Sequence, residues 1–253
     1  MKKKMFCALL VFTLLFGFNM PIKALAQDSK VDNVSSMKQD IISKETVNEN
    51  DIRWIKSSFG SVSISDLGDG LTMIEVSPYY PESISCRGSI TEEHFTMIGL
   101  VVKEEDAGGS KIAGSLSQSL SGGSGSVIAV LTISYDRVVE SGGYDCFKCT
   151  GGSVKITNFY ETQLTYLTRE LQTSGLYFRS ATDAAAFIPG GVDDLRSSAS
   201  TSYPSINVQY SVSSPSSYYW RVGAGCGYVI LRAYITYTHG NGSYNTTLQL
   251  NLY

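Results

Sequence analysis

Period-two alternation governs this chain from about residue 60 onward, and it restricts the fold more than any other feature. Val127, Ala129, Leu131, Ile133 and Tyr135 fall on alternate positions of residues 126–139, which reads as one long strand. Ser61–Ser65 and Leu71–Ser77 flank Gly68-Asp69-Gly70 as a hairpin, and Phe95–Val102 is an apolar run too short for a buried helix. Near the C-terminus, Ile206–Val212, Tyr218–Val222, Gly227–Thr238 and Ser243–Leu252 read as strands. His239-Gly240-Asn241-Gly242 joins the last two, because Asn-Gly tolerates positive φ. Val229, Leu231, Ala233, Ile235 and Tyr237 would then face Leu248, Leu250 and Leu252 in one core layer. Strands, short turns and few helices predict an antiparallel β-sandwich-like domain, or a β-rich α+β fold, with one or two short helices.

Between these strands the pattern is mixed. Tyr160, Leu164, Leu167 and Leu171 have helical spacing, Asn158 with Glu161 resembles a capping pair, and Gly175 stands where a helix would end. Thr157, Thr162, Thr165, Tyr166 and Thr168 favour a strand instead. The spacing tips residues 158–174 toward helix. Asp183–Ile188 reads as a helical turn stopped by Pro189-Gly190-Gly191. Residues 103–126, charged and then rich in Gly and Ser, read as a long loop. A membrane hairpin of the pore-former kind is a poorer reading there, since Leu116–Leu120 does not sustain the alternation over ~10 residues.

The N-terminus predicts export. Lys2, Lys3 and Lys4 precede an apolar run from Met5 to Phe18, and Ala24-Leu25-Ala26 supplies a small-x-small cleavage pattern. Residues 1–26 thus read as a signal peptide, the mature chain starting near Gln27. A transmembrane anchor would need ~20 consecutive apolar residues. Residues 27–51 are polar, with a weak helical spacing at Val34, Met37 and Ile41, and read as a flexible leader. The β-rich domain then spans 52–253. The whole chain carries 20 basic and 23 acidic residues; lysines 2, 3, 4 and 23 leave with the signal, so 16 face 23, a net charge of −7. That argues against nucleic acid and anionic membrane surfaces as partners, since both need basic patches. No later stretch is apolar enough for a helical span. An outer-membrane barrel is disfavoured because terminal Tyr253 falls out of register with Leu248, Leu250 and Leu252. The signal has a bacterial form.

Four cysteines remain after cleavage: Cys86, Cys146, Cys149 and Cys226. An even number in an exported chain suggests disulfides, of which three connectivities exist. Cys146-Phe147-Lys148-Cys149 has redox spacing, yet Gly142-Gly143 and Gly151-Gly152 frame it between strands, so a cross-linked hairpin tip fits better. Pairing Cys146 with Cys149 and Cys86 with Cys226 is slightly preferred over cross-pairing. No metal-ligand pattern and no cofactor motif is present.

Catalysis finds little support. His94 and His239 read as a strand end and a turn residue, and nothing in the spacing puts either beside a nucleophile. Gly122–Ser126 breaks the nucleophile-elbow frame at Ser126. Asp66 with Asp69, and Asp193 with Asp194, read as turn carboxylates lacking a dense calcium pattern. The 16 tyrosines include Tyr79-Tyr80 and the run Tyr218-Tyr219-Trp220. β-propensity is the first explanation of these rings. If the chain recognises a ligand, Tyr218, Tyr219 and Trp220 are the expected contacts, one ring of each adjacent pair facing out. The expectation is a non-catalytic extracellular or cell-surface binding domain whose partner is a protein or a glycan. An extracellular hydrolase with a site assembled only in three dimensions, a pore-forming or toxin-like protein, and a self-associating surface protein are the rivals.

Overall fold

The computed structural model describes residues 33–44, 47–68, 71–103, 127–159, 163–223 and 227–252. Residues 1–26, read above as a signal peptide, the Gly/Ser-rich segment and Cys226 lie outside the described residues. Among the described residues, alternation produces twelve strands in one antiparallel sheet. In chain order they are β1 (Gly60–Gly68), β2 (Leu71–Pro78), β3 (Ser83–Arg87), β4 (Ile90–Lys103), β5 (Val127–Val139) and β6 (Asp145–Phe159). β7 (Gln163–Phe178), β8 (Gly191–Ser202), β9 (Gln209–Ser213), β10 (Tyr219–Arg221), β11 (Gly227–His239) and β12 (Gly242–Leu252) follow. The spatial order is β1-β2-β4-β5-β6-β10-β7-β11-β12, with β3 added to β4, β8 to β7 and β9 to β6. The path ends at β1 and β12.

This sheet doubles over itself, which makes it sandwich-like. Alternate residues of β2, β4, β5 and β6 meet those of β7, β11 and β12 in one core that includes Leu131, Ile133, Val154, Leu167, Leu231 and Leu250. Val229, Leu231 and Ala233 pair with Leu252, Leu250 and Leu248, the layer expected from sequence. The layers meet closely at Gly152, where a Cβ would lie 3.2 Å from Leu231 Cδ1. The β11–β12 loop is Gly240-Asn241, and Gly240 takes the positive φ of 57°.

The outer face of the first half is covered. Residues 33–42 form helix α1, so most of the polar leader is ordered: Val34 and Ile41 are buried. Helix α2 (Glu49–Ser58) starts at a capping box, Asn48 accepting from Asn50 and Asp51 N–H while Asp51 accepts from Asn48 N–H. Both helices bury their apolar sides on Ile74, Val76, Ile98, Leu100, Val102 and Val130. A short helix, α3 (Ala181–Ala185), capped by Ser180, closes a smaller patch at the other end of the layer with Val138, Cys146, Phe178 and Tyr219.

Three sequence expectations fail, each for a physical reason. Residues 163–174 are strand, not helix. Tyr166 pairs with Thr236 but Leu164 with Tyr237, so Thr165 is an extra residue in a bulge. That bulge puts Leu164 and Leu167 on one face and imitates a helical interval, while Thr165 donates its hydroxyl to the Thr236 carbonyl at 3.1 Å. Asp193 and Asp194 lie in β8 rather than in a turn. Cys146 and Cys149 lie within β6, not at a hairpin tip: Cys146 enters the α3 patch and Cys149 the central core, on opposite faces. Both are free thiols, as is exposed Cys86.

A polar cleft between two apolar patches

The outward rows of β4 and β5 change chemistry along their length. On β5 the row runs Val130, Thr132, Ser134, Asp136, Val138; the first belongs to the patch under α1 and α2, the last to the patch under α3. On β4 it runs from Leu100 and Ile98 through Thr96, His94 and Glu92 to Ile90. Between the apolar patches the pairing builds three polar rungs. Thr132, Ser153 and Ser211 form the first; Thr96, Ser134, Gly151 and Ser213 the second; His94, Asp136 and Lys148 the third.

All of these rung residues except Thr96, Asp136 and Lys148 line a cleft of about 500 Å³, joined by Thr150, Gly152, Gln209 and Val212. Within it Thr132 bonds Ser153 at 2.7 Å, and Ser134 bonds Thr96 beside the cleft at 3.3 Å. Ligand pockets of such volume are ordinarily lined by apolar and aromatic side chains. This lining holds six Ser or Thr residues, a glutamine and a histidine, with no aromatic ring beyond the imidazole.

One rim is charged. His94 Nδ1–H donates to Asp136 Oδ1 at 2.8 Å, and Lys148 Nζ reaches Asp136 Oδ2 at 2.7 Å and Glu92 Oε1 at 3.1 Å. The Tyr219 hydroxyl donates to Glu92, and Lys148 lies over the Tyr219 ring, 5.1 Å from its centroid. Lys38 of α1 holds Glu82 at 2.6 Å, and the Glu82 N–H bonds the His94 carbonyl at 2.7 Å. The bond to Asp136 raises the His94 pKa above 6.5 against the opposing effect of burial. Burial would raise Asp136, but the bonds from His94 and Lys148 outweigh it and hold the carboxyl below 3.8. For Lys148, burial alone would lower the pKa, yet Asp136 and Glu92 raise it. His94 is thereby oriented and biased toward its charged form, with no hydrogen-bond partner for Nε2 among the described residues.

The residues singled out from sequence fall elsewhere. Trp220 is 0% and Tyr219 3% exposed, so the outward-facing platform expected at Tyr218, Tyr219 and Trp220 does not form. The reason is β10, which pairs with β6 on one side and β7 on the other and has both faces covered. Tyr218 is half-buried and stacks on Tyr177 at 4.6 Å. Burial first, and the Glu140 carboxylate second, push the Cys146 thiol up to about 12; burial pushes Cys149 to about 12 as well. Neither is a thiolate nucleophile at neutral pH. His239 packs on Tyr244 beside the hairpin loop. Asp194 accepts from Gln172 Nε2 at 2.9 Å, which ties the carboxylate to the sheet. Among the described residues no group of three or more His, Cys, Asp or Glu could hold a metal ion, and no helix is long and apolar enough to cross a membrane.

His94 was visible in the sequence as a strand residue, but its partners Asp136 and Lys148 come from two other strands. The available signal was the interruption of each apolar outward row by polar residues. No protein family, curated protein or solved structure matches the chain.

Proposed function

We propose that this is an exported, non-catalytic binding domain that recognises a hydroxyl-rich ligand, a glycan, in the cleft beside His94. The hydroxyl-lined cleft carries the reading. A ligand with many hydroxyls can exchange hydrogen bonds with Thr132, Ser134, Ser153, Ser211, Ser213 and Gln209, and the oriented imidazolium adds one charge-assisted donor. Lys148 neutralises much of the carboxylate charge at the rim, which suits a neutral or weakly anionic sugar. The signal-like N-terminus supports an extracellular place of action, with a glycan rather than nucleic acid as partner.

The test is binding of the mature chain to an immobilised glycan panel, followed by calorimetry with each positive oligosaccharide. Ser153→Val together with Ser211→Val should remove binding while leaving the thermal transition nearly in place; His94→Ala should weaken it about tenfold. A panel without positives, or undiminished binding by the double variant, would overturn the assignment.

An extracellular hydrolase is favoured by one observation, the bonded His94–Asp136 pair in a cleft that also holds Ser134. The Ser134 hydroxyl, however, is engaged by Thr96. Turnover of p-nitrophenyl esters that disappears in Ser134→Ala would establish that reading instead.

A further inference from the structure

Strand edges are the places where a sheet can add another chain, and proteins usually guard them with charge, proline, bulges or brevity. β3 and β9 have five residues each. β8 carries Asp193, Asp194 and Arg196, and β1 carries Asp66 and a register shift between Asp66 and Gly68. β12 has none of these devices. Its eleven residues, Gly242–Leu252, include no charge and no proline, and they pair with β11 without a register shift. Among the described residues no strand pairs with its other side. Ser243, Tyr244, Asn245 and Gln249 are exposed.

The backbone of β12 is held ready for a partner. Thr236 donates to Asn245 Oδ1 at 2.8 Å and Arg232 to Gln249 Oε1 at 2.9 Å, both from β11, so the strand is anchored from its paired side. At the far end the Glu75 carboxylate accepts from the Asn251 N–H. Because groups alternate along an antiparallel strand, Asn251 pointing away from β11 places the N–H groups of Asn245, Thr247 and Gln249 on the same open side. Glu75 closes the last of these and leaves 243–250 available.

We infer that β12 is an assembly edge whose partner is β12 of a second copy, joined antiparallel about a two-fold axis near Thr247. An uncharged strand meets its own copy without repulsion, whereas β1 or β8 would oppose like charges. A two-fold contact is self-complementary by construction. Centred on Thr247, it sets Asn245 opposite Gln249 of the second copy, amide to amide, and Thr247 opposite its own equivalent, a favourable cross-strand pair. The two sheets become continuous.

Sedimentation velocity of the mature chain across a wide concentration range tests this. A monomer–dimer equilibrium is expected. Thr247→Lys, which sets like charges face to face, should weaken it at least tenfold, and Thr247→Pro, which removes one outward N–H while sparing the β11 ladder, should do likewise. Ser200→Lys adds the same charge on β8, away from this edge, and should leave it unchanged. Should Thr247→Pro fail to fold by circular dichroism, Thr247→Lys decides. A chain monomeric throughout, or a dimer indifferent to Thr247→Lys, overturns the inference.

Discussion

One sheet presents two outer faces, and they solve the same problem in opposite ways. On β2, β4 and β5 the outward residues are Ile74, Val76, Ile98, Leu100 and Val130, and α1 with α2 removes them from water. On β7, β8 and β11 the outward rungs are mostly polar: Gln172 with Arg196 and Ile230, Glu170 with Ser198 and Arg232, Thr168 with Ser200 and Tyr234. Neither α1 nor α2 packs there, and α3 meets only the end of β7 at Phe178. Lateral bonds replace the helices: Arg232 reaches Glu170 at 2.9 Å and Gln172 at 2.7 Å, and Gln172 donates to Asp194 and to the Tyr228 hydroxyl. Coverage follows side-chain chemistry, since only the apolar face gains from burial. The cleft lies where the covered face loses its apolar residues.

That contrast can be broken first on the covered face. Ile55→Ala removes a fully buried α2 side chain and should cost about 2–5 kcal/mol in urea unfolding; a loss below half a kilocalorie would mean that α2 is not docked. Asn48→Ala, which deletes the cap of α2, should cost about 1 kcal/mol, with Asn48→Asp close to wild type as the control. Between the faces, the cleft rim should show in pH. His94 is raised in the folded state, so its contribution is full below 6.5 and disappears as pH rises through the higher folded value. Asp136 is lowered, so its contribution is full above 3.8 and disappears as pH falls through its folded value. Thermal stability should therefore decline on both sides of a plateau, His94→Gln flattening the alkaline limb and Asp136→Asn the acid one. A slope that survives both substitutions would assign the effect to other groups. The smallest change is expected on the bare face: Ser200→Ala should stay within about 0.5 kcal/mol, and a larger loss would show that the lateral bonds hold more of the fold than the helices' absence suggests.

Alternation made the strands legible because a half-buried strand must segregate its faces, as β5 does over Leu131–Asp136, β11 over Leu231–Thr238 and β12 over Leu248–Leu252. It failed at β7 because one bulged residue, Thr165, turned two-residue periodicity into a three-residue interval. It failed at β10 because the rule that adjacent rings face opposite ways says nothing about whether both sides are covered. The cleft stayed hidden for another reason. His94, Asp136 and Lys148 are distant in the chain, and only pairing register makes them neighbours. Thr96, Thr132 and Ser134 looked like ordinary strand residues, and their meaning depends on the apolar patches to either side.

β10 has a consequence for how the molecule opens. Three residues carry the path of the sheet from β6 to β7, with Trp220 opposite Phe147 on one side and Tyr177 on the other. The two halves otherwise meet face to face through one shared core, Leu131, Ile133 and Val154 against Leu167, Leu231 and Leu250. Amide hydrogens respond to the cheapest opening that frees them. Those of β10 should exchange through a local opening that detaches this short strand from β6 and β7, while those in the middle of β5 and β11 wait for the whole domain to unfold.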